Sequence, residues 1–303
     1  METAFEIPNP RKSWVVYSEI HEGGEGRYYK LDLENGTRLR FTLFIPNQFV
    51  AKGFLPGIVL MGPEITHRGT PPDYIETVED LGISVIAGIY PNEPKYEGFT
   101  PSTYSLLVDV DSTVNATGTY YVVVHEPMQG GRFGMALGYE ESFTLEEWIL
   151  VPFSVMLIYQ WEGQSLAIII APMLIIVFSG LLILLRRRNT VLDLQSAPFL
   201  MASLAALLFI GSSGSLFFQM IYVLVQTNLT SEALITVFFA AIPLLLGISV
   251  LKQIEEPNWA KNRATRIKLI LLGAIALFFW AGLILGPILL ITSVMVTFLL
   301  DRG

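Results

Sequence analysis

Gln164–Leu185 reads QSLAIIIAPMLIIVFSGLLILL, and Arg186, Arg187 and Arg188 follow it without a break. No charge interrupts the run. A bilayer core about 30 Å thick takes about 20 apolar residues of helix, so this stretch is long enough to cross. The arginines set its direction, because basic residues stay on the cytoplasmic side. Ahead of it the chain reads as a water-soluble domain; behind it, as lipid-soluble helices.

Working outward, the totals agree with that division. Hydrophobic residues make up 52% of 303 and the mean hydropathy is +0.53, which argues against an all-soluble globule. The residues before Gln164 carry 22 acidic and 10 basic side chains, net −12; those from Gln164 onward carry 5 and 9, net +4. An acidic front half repels phosphates, which argues against nucleic acid as a partner and against docking on anionic lipid. The chain has no cysteine, which excludes a disulfide framework, a thiolate metal site and a catalytic thiol. METAFEIPNPRK, residues 1–12, holds no apolar run and so no signal peptide. Export of the front half then falls to a cleaved leader or to the first span itself.

From Ser13 to Gly138, short β-rich runs alternate with turn residues. The expected strands are Trp14–Ile20, Arg27–Leu33, Arg38–Ile45, Gly57–Met61, Ser84–Tyr90, Tyr104–Val110, Thr119–His125 and Arg132–Leu137. Glu34-Asn35-Gly36 is a hairpin signal, since Asn and Gly tolerate the positive φ of a tight turn. Regular strand spacing points to an antiparallel β-sandwich over residues 1–142. Within it, Ile75, Val78 and Leu81 at helical spacing predict a short helix in Pro71–Gly82.

Three stretches carry a family likeness: YYKLDL (28–33) before Asn35-Gly36, GTYYVVV (118–124), and GRFGMAL (131–137). Together they resemble the pre-peptidase C-terminal type of β-sandwich, with its G-T-Y-Y-V-x-V strand, glycine turn and G-x-Y-x-L-x-V strand. Phe133 stands where that family has Tyr. The likeness covers residues 27–138, and no protease domain accompanies it. It implies an accessory, jelly-roll-like module of exported proteins rather than a catalytic one.

Residues 143–163 form a connector. Leu145, Trp148 and Ile149 beside Glu146 and Glu147 predict an amphipathic helix from near Thr144, interrupted at Pro152. Tyr159 and Trp161 sit where an interfacial aromatic anchor belongs, so the connector is expected along the outer membrane surface. The transmembrane part, 164–303, is expected as a four-helix bundle with spans at 164–185, 198–225, 233–251 and 267–300. The last is too long for one crossing and is expected to kink at Pro287. Arg186–Arg188 and the basic loop 252–268 fall on one side, the cytoplasmic one. The acidic domain, the loop 226–232 and the C-terminus then lie extracytoplasmic.

Candidate chemistry is sparse. The span interiors hold no charged residue and no histidine, which argues against ion-coupled transport and haem ligation. Gly211, Ser212, Ser213, Gly214 and Ser215, with Gln219, read either as an unwound binding segment or as close helix packing through small residues. Gly282 and Gly286 form a Gly-x-x-x-Gly pair of the packing kind. His67, His125 and Met128, with His21 and Met61, contain the imidazole and thioether ligands of a copper site, against surface or satisfied histidines. Glu140, Glu141, Glu146 and Glu147 read as a hard-cation site or as a solvated face and helix start. Asn35, Asn115 and Asn228 head Asn-x-Ser/Thr glycosylation tripeptides, all on the expected outer side. No nucleophile elbow, phosphate loop or metal-protease helix occurs.

The expectation is therefore a non-enzymatic, multi-pass membrane protein without a cofactor. It acts as an accessory, assembly or interaction subunit, with membrane proteins as partners or with itself through small-residue helix faces. Extracytoplasmic copper handling is the alternative, and a small transporter or channel component is the second.

Overall fold

Among the described residues ten strands form in the front part of the chain, the longer ones mostly on alternating apolar and polar residues. They are β1 (Phe5–Glu6), β2 (Trp14–Ile20), β3 (Glu25–Leu33), β4 (Arg38–Pro46), β5 (Gly57–Gly62), β6 (Gly82–Ile86), β7 (Lys95–Glu97), β8 (Ser102–Thr113), β9 (Gly118–Glu126) and β10 (Gly131–Leu137). A four-residue helix, α1 (Asn47–Val50), follows β4. The computed structural model describes residues 3–188, 196–228 and 230–300. By internal contacts the chain forms two units, Met1–Lys95 with Thr103–Trp148, and Tyr96–Ser102 with Ile149–Gly303.

The strands form two five-stranded sheets, ordered β1-β3-β9-β5-β6 and β2-β10-β4-β8-β7. β1 runs parallel to β3, while β3–β9, β9–β5, β5–β6, β2–β10, β10–β4 and β4–β8 pair antiparallel. Leu31, Ile58, Tyr120 and Val122 of the first sheet share one core with Phe41, Leu43, Phe133 and Met135 of the second. That shared core makes a β-sandwich. The opposite residues of β4 and β8 are polar and pair on the surface. Arg38 grips Asp111 at 2.8 and 2.6 Å, and Arg40 lies 2.7 Å from Asp109. The Arg38 guanidinium holds the Asp111 carboxyl below its ordinary range.

The helix expected in Pro71–Gly82 does not form. Ile75 is buried with Val59, Met61 and Val123 on the outer face of the first sheet, with Tyr74 and Leu81 beside it. The segment therefore lies over the sheet as an irregular cover, which leaves β5 buried on both faces. The strand expected at Ser84–Tyr90 starts and stops earlier, at Gly82 and Ile86. Two short strands, β1 and β7, carry no period-2 signal.

Six helices follow: α2 (Leu145–Trp161), α3 (Leu166–Arg188), α4 (Ala197–Leu224), α5 (Ala233–Glu255), α6 (Arg263–Phe278) and α7 (Leu285–Leu300). Of these, α3, α4 and α5 are long and apolar enough to cross a membrane. α2 begins with a capping box. Thr144 N–H donates to Glu147 Oε2 at 2.7 Å, and Glu147 N–H donates to Thr144 Oγ1 at 3.2 Å. Lys12 Nζ lies 2.5 Å from Glu147 Oε1, and with the cap it holds the Glu147 carboxyl below its ordinary range. Two expectations for α2 fail. Pro152 lies inside a continuous helix rather than interrupting it. Nor is the helix amphipathic, because Leu145, Leu150, Phe153 and Leu157 are exposed while the remainder is equally apolar.

α4 is the hub of the bundle, packed by α3, α5 and α7. The fourth span expected as one kinked crossing is instead a helical hairpin. α6 ends at Phe278, a turn occupies 279–284, and α7 runs back along α6. Arg266 near the start of α6 meets Thr297 and Phe298 near the end of α7, its guanidinium 4.4 Å from the Phe298 ring. Pro287 does not kink the run; it sits in the first turn of α7, where a missing N–H costs little. The break comes earlier, where Trp280, Gly282 and Leu283 adopt φ of 50°, 67° and 58°. Left-handed backbone costs about 1–2 kcal/mol at each non-glycine residue. Asn262 starts α6 by accepting from Ala264 N at 3.0 Å and Thr265 N at 3.4 Å. α6 thus begins within the basic stretch that was expected to be loop.

Candidate functional site

The sequence-predicted copper ligands do not converge. His125 lies on β9, facing outward from the core, with Nδ1 3.0 Å from the Tyr74 hydroxyl. Burial lowers the affinity of its imidazole for a proton, and the Glu126 carboxylate opposes that shift in part. His67 is exposed next to Arg68, which bridges Ser84 of β6. β5 and β6 stand between it and β9, so the separation from His125 is at least about 14 Å at 4.7–4.9 Å per strand spacing. Met128 is 83% exposed, with its amide bonded to Glu126. His21 Nδ1 lies 3.3 Å from Glu19, and Met61 is buried in a different cluster. Among the described residues no three His, Asp or Glu side chains are grouped to hold a metal ion.

The paired carboxylates are similarly engaged. Glu147 caps α2, and the Glu140 backbone bridges Lys12. Glu140 also lines a shallow surface groove of about 410 Å³ with Arg11, Asp32 and Glu34. Asn35 and Asn115 are exposed on adjoining turns. The Asn35 amide donates to Thr117 Oγ1 at 2.9 Å, and Val114 and Gly36 complete the junction. Asn228 is exposed after α4, while Leu229 of its tripeptide lies outside the described residues.

In the helical unit the small residues define close approaches. α4 is unbroken through Gly211–Ser215, so the segment is not unwound. A Cβ on Gly211 would lie 2.9 Å from Met173 Cγ, and one on Gly214 would overlap Ile176. Gly282 and Gly286 both face Phe209 of α4. These glycines thus serve close approaches within the chain. Ser215 Oγ is buried without a hydrogen-bond partner among the described residues.

Several polar contacts had no sequence signal. Gln164 and Gln219, buried where α3 begins and α4 nears its end, bond reciprocally at 2.9 Å. Ser212 Oγ accepts from the Gly282 amide at 2.7 Å, which satisfies a donor of the left-handed turn. Thr236 of α5 donates to Gly98 O at 2.6 Å and lies 2.8 Å from the Tyr96 hydroxyl. Tyr96 is buried with Val223 and Ala233, so Tyr96–Ser102 is fastened where α4 ends and α5 starts. Next to it a row of rings runs Phe99–Phe239–Phe279, with centroids 5.0 and 6.4 Å apart. Phe238 and Phe278 extend the row.

These distances assign heights along the bundle. Ser212 precedes Leu224, the end of α4, by twelve residues, or roughly 18 Å. The turn between α6 and α7 therefore stops well short of the end of α4 that carries Tyr96 and Gln164. Residues in α4 level with that turn, Phe209 to Ser212, also meet α3 at Met173. No protein-family model matches the chain, and no curated protein matches it.

Proposed function

We propose that this chain is a non-enzymatic membrane protein that acts as an accessory or assembly subunit, holding partner membrane proteins against α3. The observation that carries this reading is the surface of α3. Only 11% of its apolar window is buried, against 50% for α4. α3 packs along α4 and leaves Ile168, Leu174, Ile175, Phe178 and Leu182 exposed. The close approaches at Gly180, Gly211 and Gly214 use the side of α3 that faces α4. A transmembrane helix of another protein fits the exposed flank, in keeping with packing-driven association in lipid.

The sidedness follows the charges. α3 enters by Gln164 and leaves by Arg186–Arg188; α4 returns; α5 carries Lys252 in its last turn. α6 and α7 then dip in and come back, so that the end of α7 returns to the side of Arg263. In this reading three helices cross, and the basic stretches with the C-terminus lie in the cytoplasm. The β-sandwich lies outside, an accessory module of the kind its likeness to pre-peptidase C-terminal domains implies. This changes the side first expected for the C-terminus, because α6 and α7 form a hairpin.

The test is purification in mild detergent with a photo-crosslinking residue at Ile175 or Phe178. Cross-linking to a second membrane protein supports the reading. Monomer alone, with cross-links to lipid only, removes it. The natural absence of cysteine makes sidedness directly measurable with single-cysteine variants and a membrane-impermeant thiol reagent.

A further inference from the structure

The two flanks of the bundle differ in apolar height. α3 is 23 residues, about 34 Å, and matches a bilayer core of about 30 Å. The opposite flank is made by α6 and α7, each 16 residues or about 24 Å, and α6 begins with Arg263, Arg266 and Lys268. Two independent contacts locate where that flank stops. Gly282 bonds to Ser212, seven residues or roughly 10 Å below Gln219 of α4. Phe279 meets Phe239, six residues or roughly 9 Å into α5 from Ala233. The turn thus lies roughly 10 Å below the Gln164–Gln219 pair, roughly 18 Å below the end of α4 and roughly 9 Å below the start of α5.

The top of this short flank is aromatic and open. Phe99, Phe238 and Phe278 are each more than 60% exposed, and their rings connect through Phe239 and Phe279. Glu97 borders the row at its upper edge, its carboxylate accepting from the Phe99 amide at 3.2 Å. A bilayer meets a short apolar flank by thinning, because burying the polar surface above it in hydrocarbon costs more than compressing acyl tails by a few ångströms.

We propose that the phenylalanine row is a lipid-contacting surface that thins the outer leaflet along the α5–α7 flank, while the α3 flank faces a leaflet of ordinary thickness. The occupant is the bilayer itself, its acyl tails ending near the Phe99–Phe239–Phe279 row. A thinned leaflet lowers the barrier for a polar segment of another membrane protein to approach from outside. The proposal rests on α6 and α7 dipping part-way and returning, but not on the assembly role.

The experiment uses spin labels on single cysteines in the full chain, reconstituted in bilayer nanodiscs. Depth is read from relative accessibility to oxygen and to a water-soluble nickel complex. Met173 packs on Gly211, so Leu174 and Phe278 stand at one level on opposite flanks. Gly180 packs on Leu207 and Gly286 on Phe209, which puts Leu182 and Thr292 within about 3 Å of one lower level. The expected result is that Leu174→Cys and Phe278→Cys differ by about 5–10 Å, with Phe278 shallower, while Leu182→Cys and Thr292→Cys agree. Equal depths at the upper pair overturn the proposal. A similar difference at both pairs means that the bundle is tilted, and overturns it as well. Leu285→Cys, exposed on the same turn, replaces Phe278→Cys if that variant folds poorly. A separate readout keeps the hairpin distinct: thiol labelling at Leu299→Cys from the outer side removes the dipping hairpin itself, whatever the leaflet does.

Discussion

Gln164 and Gln219 exchange two hydrogen bonds, each side-chain nitrogen donating to the other's oxygen at 2.9 Å. The pair fixes the register of α3 against α4 near one end of both helices, where the rest of the contact is apolar. Its energetics are asymmetric. In lipid-facing bundles such a bond contributes about 0.6 kcal/mol on average, but an orphaned buried amide costs about 1–3 kcal/mol. Gln219→Leu should therefore destabilise the bundle by about 1–3 kcal/mol. The double variant Gln164→Leu, Gln219→Leu should cost less than either single change. Unfolding in mixed detergent micelles measures all three, and a double variant whose loss equals the sum of the singles refutes the pairing argument.

Packing of α3 on α4 is decided by Gly214. A side chain there collides with Ile176. Gly214→Leu should cost about 1–3 kcal/mol by overpacking, and Ile176→Ala should restore part of it. If Gly214→Leu leaves the melting temperature unchanged, the close approach is not as described.

How much of this was legible depends on the physical signal each element carries. Strands such as β4 announce themselves because one face is buried and the other is wet, as Leu39, Phe41 and Leu43 alternate with Arg38, Arg40 and Thr42, whereas β5, buried on both faces, reads as an apolar run between glycines. β1 and β7 are too short for a period. The first three spans are legible because their ends are polar. The α6–α7 turn is not, because Phe278, Phe279, Trp280 and Ala281 look like lipid-facing helix, and left-handed Trp280 and Leu283 contradict their residue types. Gly282 was the available cue, and Pro287 drew attention from it. The fastening of Tyr96–Ser102 rests on contacts to Thr236, some 140 positions away in sequence, which no local pattern encodes.

The turn makes its own prediction. With Ser212→Ala the Gly282 amide loses its acceptor in a partly buried setting, at a cost of about 1 kcal/mol. Ser212→Thr keeps the hydroxyl and should retain most of the stability. Amide exchange over residues 279–284 is expected to quicken in Ser212→Ala and not in Ser212→Thr. Equal protection in both variants means that the bond does not hold the turn.

The β-sandwich should lose stability in mild acid through His125. Burial favours its neutral imidazole, so the folded protein binds the proton less readily than the unfolded chain, where histidine titrates near about 6.5. That contribution is fully present above about 6.5 and is lost as pH falls through the unfolded value towards the lower folded one. In the protonated ring Nδ1 can only donate to the Tyr74 hydroxyl, while Glu126 nearby offsets part of the penalty. His125→Gln removes the titration and keeps a polar partner for the Tyr74 hydroxyl. Thermal melts of the full chain between pH 7.5 and 5, followed on sandwich signals, should show a steeper loss in wild type than in His125→Gln. Parallel slopes for the two proteins would show that another group sets the acid sensitivity.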